Sequence, residues 1–289
     1  MKKLQNQDQT ILVSPHGAEL CSIQCHGKEY LWQADPAFWK RHSPVLFPIV
    51  GSVWENRYRV GESAYQLTQH GFARDMDFTL LSEKDDEVWY VLRDTEETRA
   101  KYPFSFQLEI GYRIHGRRID VMWRVINTDS RILPFQIGAH PAFYYPDFEA
   151  ETSGRGYFGF DKQQDLQYIL ISEKGCVDAE THYPLQLTEG LLPLDIHTFD
   201  KDALVIEDSQ VGEVTLYDKK RRPYLSLYFE APVVGLWSPP TKNAPFVCIE
   251  PWYGRCDRAH YAGQYADKDW VQKLAPQEVF EGGYVIEIR

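Results

Sequence analysis

Along this 289-residue chain the apolar positions recur mainly with a period of two. In residues 107–127, "QLEIGYRIHGRRIDVMWRVIN", Leu108, Ile110, Tyr112 and Ile114 share one face. Past a turn placed at His115-Gly116, Ile119, Val121, Trp123 and Val125 share one again. Side chains two apart on a strand point the same way, so the segment predicts an antiparallel hairpin with one buried face. "RYRVGESAYQL", turning at Gly61-Glu62, and "EVTLYDKKRRPYLSLYF", turning across residues 218–222, read the same way. "ILVSPHGAELCSIQCHGKEYLW" reads as two or three short strands broken at Pro15-His16-Gly17 and His26-Gly27, and the final "GGYVIEIR" as a strand. Helical periodicity is scarce; short helical turns are predicted only at 36–39, 95–101 and 268–273. The pattern predicts an all-β fold, a large antiparallel β-sandwich. No repeat, low-complexity tract or Pro/Ser-rich linker divides it, so residues 1–289 read as a single domain.

Composition narrows the function classes. Apolar residues make up 43%, enough for a substantial core, and the 14% aromatic content suits both pleated sheets and the C–H faces of sugars. Acidic residues outnumber basic ones 42 to 31, and the resulting net charge of −11 argues against nucleic acid and anionic membranes as partners. The start, "MKKLQNQDQTILV", turns polar at once and lacks the apolar core of a signal peptide, and no run of 18 uncharged apolar residues follows. The five cysteines are sparse and have no C-x-x-C spacing, so a cytoplasmic protein without a disulfide framework is expected.

Four stretches break the strand rule: "WKRHSPVLFPIVG" (39–51), "QHGFARDMDF" (69–78), "IGAHPAFYYP" (137–146) and "FVCIEPWYGRCD" (246–257). Polar groups stand there where a sandwich calls for apolar ones, and such inconsistencies mark functional sites. His140 reads either as a tied-down core histidine or as an acid–base imidazole, with Gly138 and Ala139 leaving it room and Phe143, Tyr144 and Tyr145 expected as its apolar walls. Glu250 closes an apolar strand just before Pro251-Trp252. It reads either as a strand-end carboxylate paired with Arg255 or Arg258, or as a buried carboxyl with a raised pKa fit for a general base.

Gln69, His70 and Arg74 cluster around a glycine and suit hydroxyl or phosphate recognition, or else Arg74 merely bridges to Asp75 or Asp77. Arg41 could reach the same pocket, and Trp237 is either core or a stacking platform for a sugar ring. There is no G-x-G-x-x-G, P-loop, G-x-S-x-G or H-E-x-x-H motif. His70, His140 and Glu250 would make a 2-His-1-carboxylate set, but nothing in their spacing requires one, so no metal and no cofactor are expected.

Taken in order, "FPIVG", "QHGFARDMDF", "GAHPAF", "DALVIED", "VGLW" and "FVCIEPWYG" resemble the galactose mutarotase-like superfamily, most closely the LacX-like branch of aldose 1-epimerases. The resemblance runs over nearly the whole chain and implies a β-supersandwich. It implies that His140 is the general acid and Glu250 the general base of ring opening in an aldose, with Gln69, Arg74, Asp202 and Arg41 binding substrate and His70 near the ring oxygen. Where members of this branch often carry a basic residue after "FPIVG", this chain has Ser52, which removes one cation from any phosphate clamp. The expected activity is thus interconversion of the α and β anomers of a hexose, in a monomer or homodimer. Rival readings are a hexose-6-phosphate 1-epimerase, a non-catalytic carbohydrate-binding protein, and a glycoside hydrolase using Glu250 with Asp202.

Overall fold

The alternation is realised as strands throughout a computed structural model that describes residues 1–289. The hairpin read first forms from strands Phe106–His115 and Arg118–Asn127, paired with His115 opposite Arg118, so its turn residues are Gly116 and Arg117, one position later than predicted. Its predicted inward face is buried as expected: Leu108, Val121 and Val125 lie in the core, as does Trp123. This hairpin lies inside a nine-stranded antiparallel sheet that ends with Thr79–Glu83 on one edge and Leu191–Asp195 on the other. The C-terminal strand Val279–Ile288 joins the hairpin to the strand pair Glu213–Tyr217 and Pro223–Phe229.

A second sheet has eight strands, and four of them carry the site: Ile137–Ala139, Phe246–Tyr253, Val233–Trp237 and Leu204–Ile206. Period two sorts their residues. Ile137, Ala139, Leu204, Ile206, Val234, Leu236, Val247 and Ile249 enter the core shared with the nine-stranded sheet. Val205, Val233 and Trp252 belong to a separate cluster, and Phe246 and Cys248 to a third, so these residues lie on the opposite face. The buried face of each sheet thus supplies a sandwich core, while the other face of the eight-stranded sheet is free to carry a pocket.

A four-stranded N-terminal sheet, Lys2–Gln5, Gln9–Val13, Leu20–Cys25 and Lys28–Glu29, adds Leu4, Ile11, Val13, Leu20 and Ile23 to the common core. The α-helix Glu96–Lys101 matches one of the predicted helical turns and is started by Thr95, whose side chain accepts from Thr98 N. The other two do not become helices. Residues 36–39 close a single turn, with Phe38 and Trp39 N–H both donating to the Asp35 carbonyl. Within 268–273 the chain extends into the strand Gln272–Leu274, which pairs with Leu133–Phe135; tertiary pairing overrides a weak local preference there. No helix is long and apolar enough to cross a membrane.

Candidate active site

Trp252 decides the shape of the pocket floor. It projects from Phe246–Tyr253 between two glycines on neighbouring strands, and both are required by its bulk. A Cβ on Gly138 would meet Trp252 Cδ1 at 2.6 Å, and one on Gly235 would meet its Cη2 at 2.3 Å. The indole lies over the sheet and donates from Nε1 to the Ala139 carbonyl at 3.2 Å. Two residues before it, on the same face, is Glu250, only 1% exposed. One residue beyond Ala139 the strand ends at His140, held by its N–H to the Pro44 carbonyl at 3.1 Å. The two side chains, 110 residues apart in sequence, meet: His140 Nε2 lies 3.2 Å from Glu250 Oε2. Neither Arg255 nor Arg258 pairs with Glu250; Arg255 is taken by Glu207 and Asp269, and Arg258 by Asp269 and Glu180.

The walls of the pair are tryptophans. Trp39 stacks on the His140 ring with centroids 4.7 Å apart, and Trp237 meets it edge-on at 5.3 Å. Phe143, by contrast, points into the sandwich core, and Tyr145 also joins it, because residues at odd offsets from His140 face the other side of the sheet. The expectation is therefore corrected for Phe143 and Tyr145, while Tyr144 packs in the cluster that includes Trp39 and Trp237; Trp39 is the residue it missed. Trp39 opened one of the four irregular stretches, but an aromatic beside a loop carries no signal of what it will stack on.

His70 closes one side. It sits at a left-handed backbone position (φ +67°) followed by Gly71 (φ +71°), in a turn whose amides are spoken for. His70 N donates to the Gly51 carbonyl at 2.8 Å, and Gly51 N donates back to His70 Nδ1 at 3.0 Å. With Nδ1 accepting, a neutral His70 carries its proton on Nε2. Its ring stands edge-on to His140 at 5.5 Å. Gly71 permits the turn because a Cβ there would lie 2.3 Å from the Phe47 carbonyl oxygen.

A cavity of about 300 Å³ opens above the pair, at the small end of ligand-site sizes. Gln69, His70, Arg74, His140, Asp202, Trp237 and Glu250 all line it, as do Trp39 and Trp252. Arg74 is half-buried, donates to the Gln69 carbonyl at 2.7 Å and has Nε 3.8 Å from Asp75. Arg41 stands outside the lining and donates to Asp75 at 2.9 Å. Ser52 is buried, and no basic side chain takes its place in the lining beyond Arg74.

Electrostatics sets the protonation of the pair. Burial first, then the charge of Asp202, pushes the Glu250 carboxyl well above the ordinary carboxylate value. Burial first, then the positive charges of Arg74 and Arg41, pushes His140 down to about 3. His70 is likewise driven well below the usual imidazole value, by burial and then by His140, Arg74 and Arg41. Both shifts favour the uncharged members of the pair, a protonated Glu250 carboxyl beside a neutral His140 ring. Passing the carboxyl proton across the 3.2 Å gap gives a carboxylate and an imidazolium with the same net charge. His140 Nδ1 is buried without a hydrogen-bond partner, so the ring is positioned by packing rather than by a second acceptor.

The residues do not suit a resident metal. His70 Nδ1 is committed to Gly51, and the third group within 4.8 Å of His140 and Glu250 is the Cys248 thiol instead. That thiol is fully buried, and burial holds its pKa well above the usual value, so it is not an available thiolate. What the site offers is proton transfer to and from a small polar molecule beside the indoles, with Arg74 and three further hydrogen-bonding side chains, Gln69, His70 and Asp202, in the lining.

Comparisons with known proteins show the family and the fold. The family model described as aldose 1-epimerase matches residues 2–286. The plasmid-encoded protein LacX of Lactococcus lactis subsp. lactis is 31% identical over 99% of this chain and 98% of its own length, and the chromosomal LacX of the same organism is 30% identical over the same shares. A galactose mutarotase related enzyme from Lactobacillus acidophilus superposes with a TM-score of 0.93 at 31% identity, covering 100% of this chain and 97% of that one. A galactose mutarotase-like protein from Lactobacillus casei superposes at 0.94 with 28% identity, covering both chains fully. With its β-sandwich, its motifs in order and this full-length similarity, the chain belongs to the aldose 1-epimerase family.

Proposed function

We propose that the chain interconverts the α and β anomers of a free hexose by acid–base opening and reclosure of the ring. The observation that carries this reading is the His140–Glu250 pair, 3.2 Å apart beneath a pocket walled by Trp39 and Trp237. With the pair in its charged form, Glu250 takes the proton of the C1 hydroxyl and His140 gives its proton to the ring oxygen. The C1–O5 bond breaks, its electrons go to O5, and the free aldehyde forms without a charged sugar. The enzyme is then left with a protonated carboxyl and a neutral imidazole, the arrangement burial favours. The charged form is reached by first passing the carboxyl proton to His140, and ring opening returns the pair to its favoured uncharged state. Reclosure on the other carbonyl face returns both protons.

Gln69, Arg74, His70 and Asp202 would hold the hydroxyls, and Trp237 the C–H face of the ring. A free sugar fits better than a 6-phosphate, because Arg74 is the one basic side chain in the lining and Asp75 engages Arg41 and stands 3.8 Å from Arg74. The test is anomer exchange followed by NMR for glucose, galactose and their 6-phosphates. Faster exchange of the free sugars supports the reading. Faster exchange of the phosphates alone replaces it with a hexose-6-phosphate 1-epimerase, and binding without acceleration replaces it with a carbohydrate-binding protein.

A further inference from the structure

Away from the pocket, two distant segments bring together a second group of chemically capable side chains. Glu19 and Cys21 are two apart where the strand Leu20–Cys25 begins, and His42 comes from the loop after Trp39. One ligand atom from each lies within 4.8 Å of the other two. His42 Nδ1 is buried and makes no hydrogen bond, and it sits 3.6 Å from Glu19 Oε2, too far for one. The other carboxylate oxygen, Oε1, accepts from His42 N and Ser43 N, both at 2.9 Å. Those two bonds fix the carboxylate and leave Oε2 facing the ring, as outer hydrogen bonds do for metal-ligating carboxylates.

An ion pair between a charged His42 and Glu19, with Cys21 a bystander donating to the Glu19 carbonyl at 3.3 Å, is the plainer account. In that account the buried ring nitrogen and the carboxylate oxygen stand 3.6 Å apart, beyond hydrogen-bond reach. A tetrahedral Zn²⁺, with bonds of about 2.0–2.1 Å to nitrogen and oxygen and about 2.3 Å to sulfur, spaces its ligand atoms roughly 3.3–3.7 Å apart. A nitrogen and an oxygen ligand would stand about 3.3–3.4 Å apart, so His42 and Glu19, now 3.6 Å apart, would close by a few tenths of an ångström on binding.

We propose that Glu19, Cys21 and His42 bind a thiophilic divalent cation, Zn²⁺ fitting best, with water at the fourth position. The side chains of Glu19 and His42 retain 15% and 25% exposure, which gives that water access. The cation would brace the segment behind the pocket: the His42 carbonyl accepts Ala142 N at 3.0 Å, and the Pro44 carbonyl accepts His140 N at 3.1 Å. It takes no part in proton transfer.

The experiment titrates metal-free full-length protein with Co²⁺ as a spectroscopic probe and then with Zn²⁺. One equivalent of Co²⁺ should produce a thiolate-to-metal charge-transfer band that one equivalent of Zn²⁺ removes. Cys21→Ser should abolish the band, His42→Ala should weaken binding at least 10-fold, and Cys248→Ala should leave the band in place. Circular dichroism of each variant separates loss of binding from loss of fold. Failure of the wild-type protein to bind Zn²⁺ stoichiometrically at micromolar concentration, or a Co²⁺ band that survives Cys21→Ser in a folded variant, overturns the proposal.

Discussion

Glu250→Gln separates the chemical role of the buried carboxyl from its structural one. Glutamine has nearly the same shape and keeps an oxygen toward His140, but it cannot take a proton. Loss of a positioned general base is worth roughly 10²- to 10⁴-fold in rate, or about 2.7–5.4 kcal/mol of barrier. Anomer exchange at pH 7 should fall by that factor while sugar affinity changes little. Stability should move the other way. A carboxyl whose folded pKa is raised contributes stability that is fully present below its unfolded value and is lost as pH rises through the folded one. Between the unfolded and the folded pKa, the wild-type protein loses up to about 1.36 kcal/mol per pH unit from this group and no more above it, and Glu250→Gln loses none of it. Thermal melts of the two proteins from pH 5 to pH 9 isolate the effect, because every other titrating group is common to both. The variant's relative stability should improve as pH rises. Unchanged activity would refute the catalytic role; a stability difference flat with pH would refute the buried, proton-holding carboxyl.

Three further outcomes follow from the same geometry. His140 has the opposite sign: with its pKa depressed to about 3, its contribution is fully present above about 6.5 and is lost as pH falls through 3. His140→Asn should therefore gain roughly 3 kcal/mol relative to wild type between pH 8 and pH 4 in paired melts, while losing anomer exchange. Gly71→Ala places a Cβ 2.3 Å from the Phe47 carbonyl oxygen at φ +71°, so it should lower stability by about 2 kcal/mol or more and reduce activity by displacing His70 and Arg74, measured by denaturant unfolding and by exchange rate. Trp39→Ala removes the 4.7 Å stack on His140, worth about 0.5–1.5 kcal/mol, and should reduce kcat/KM by about 2- to 10-fold in polarimetry.

The fold was legible because period-two alternation is a direct imprint of a sheet with one buried face. It located the hairpins centred on residues 116, 61 and 220, and missed only where the signal is local and weak, as at 268–273. His140 and Glu250 stood out for a physical reason: each is an ionisable group set in or just past an otherwise apolar strand, Glu250 within Phe246–Tyr253 rather than at its end. That they would meet was not readable from spacing, since the contact depends on which sheet face each residue presents and how the strands are ordered. Trp39 and Trp252 were opaque, because an aromatic side chain suits a core and a pocket wall equally. The glycines that seat Trp252, Gly138 and Gly235, carry meaning only once the strands are laid side by side.

If His140 and Glu250 share one proton and move it as a unit, removing both groups should hurt little more than removing one. Two-dimensional exchange NMR of equilibrated glucose, run on wild type, His140→Asn, Glu250→Gln and the double variant, measures this directly. The predicted result is a loss of roughly 10²- to 10⁴-fold in each single variant, with the double variant close to the worse of the two. Wild-type exchange in either single variant, or losses that simply multiply in the double, would contradict it.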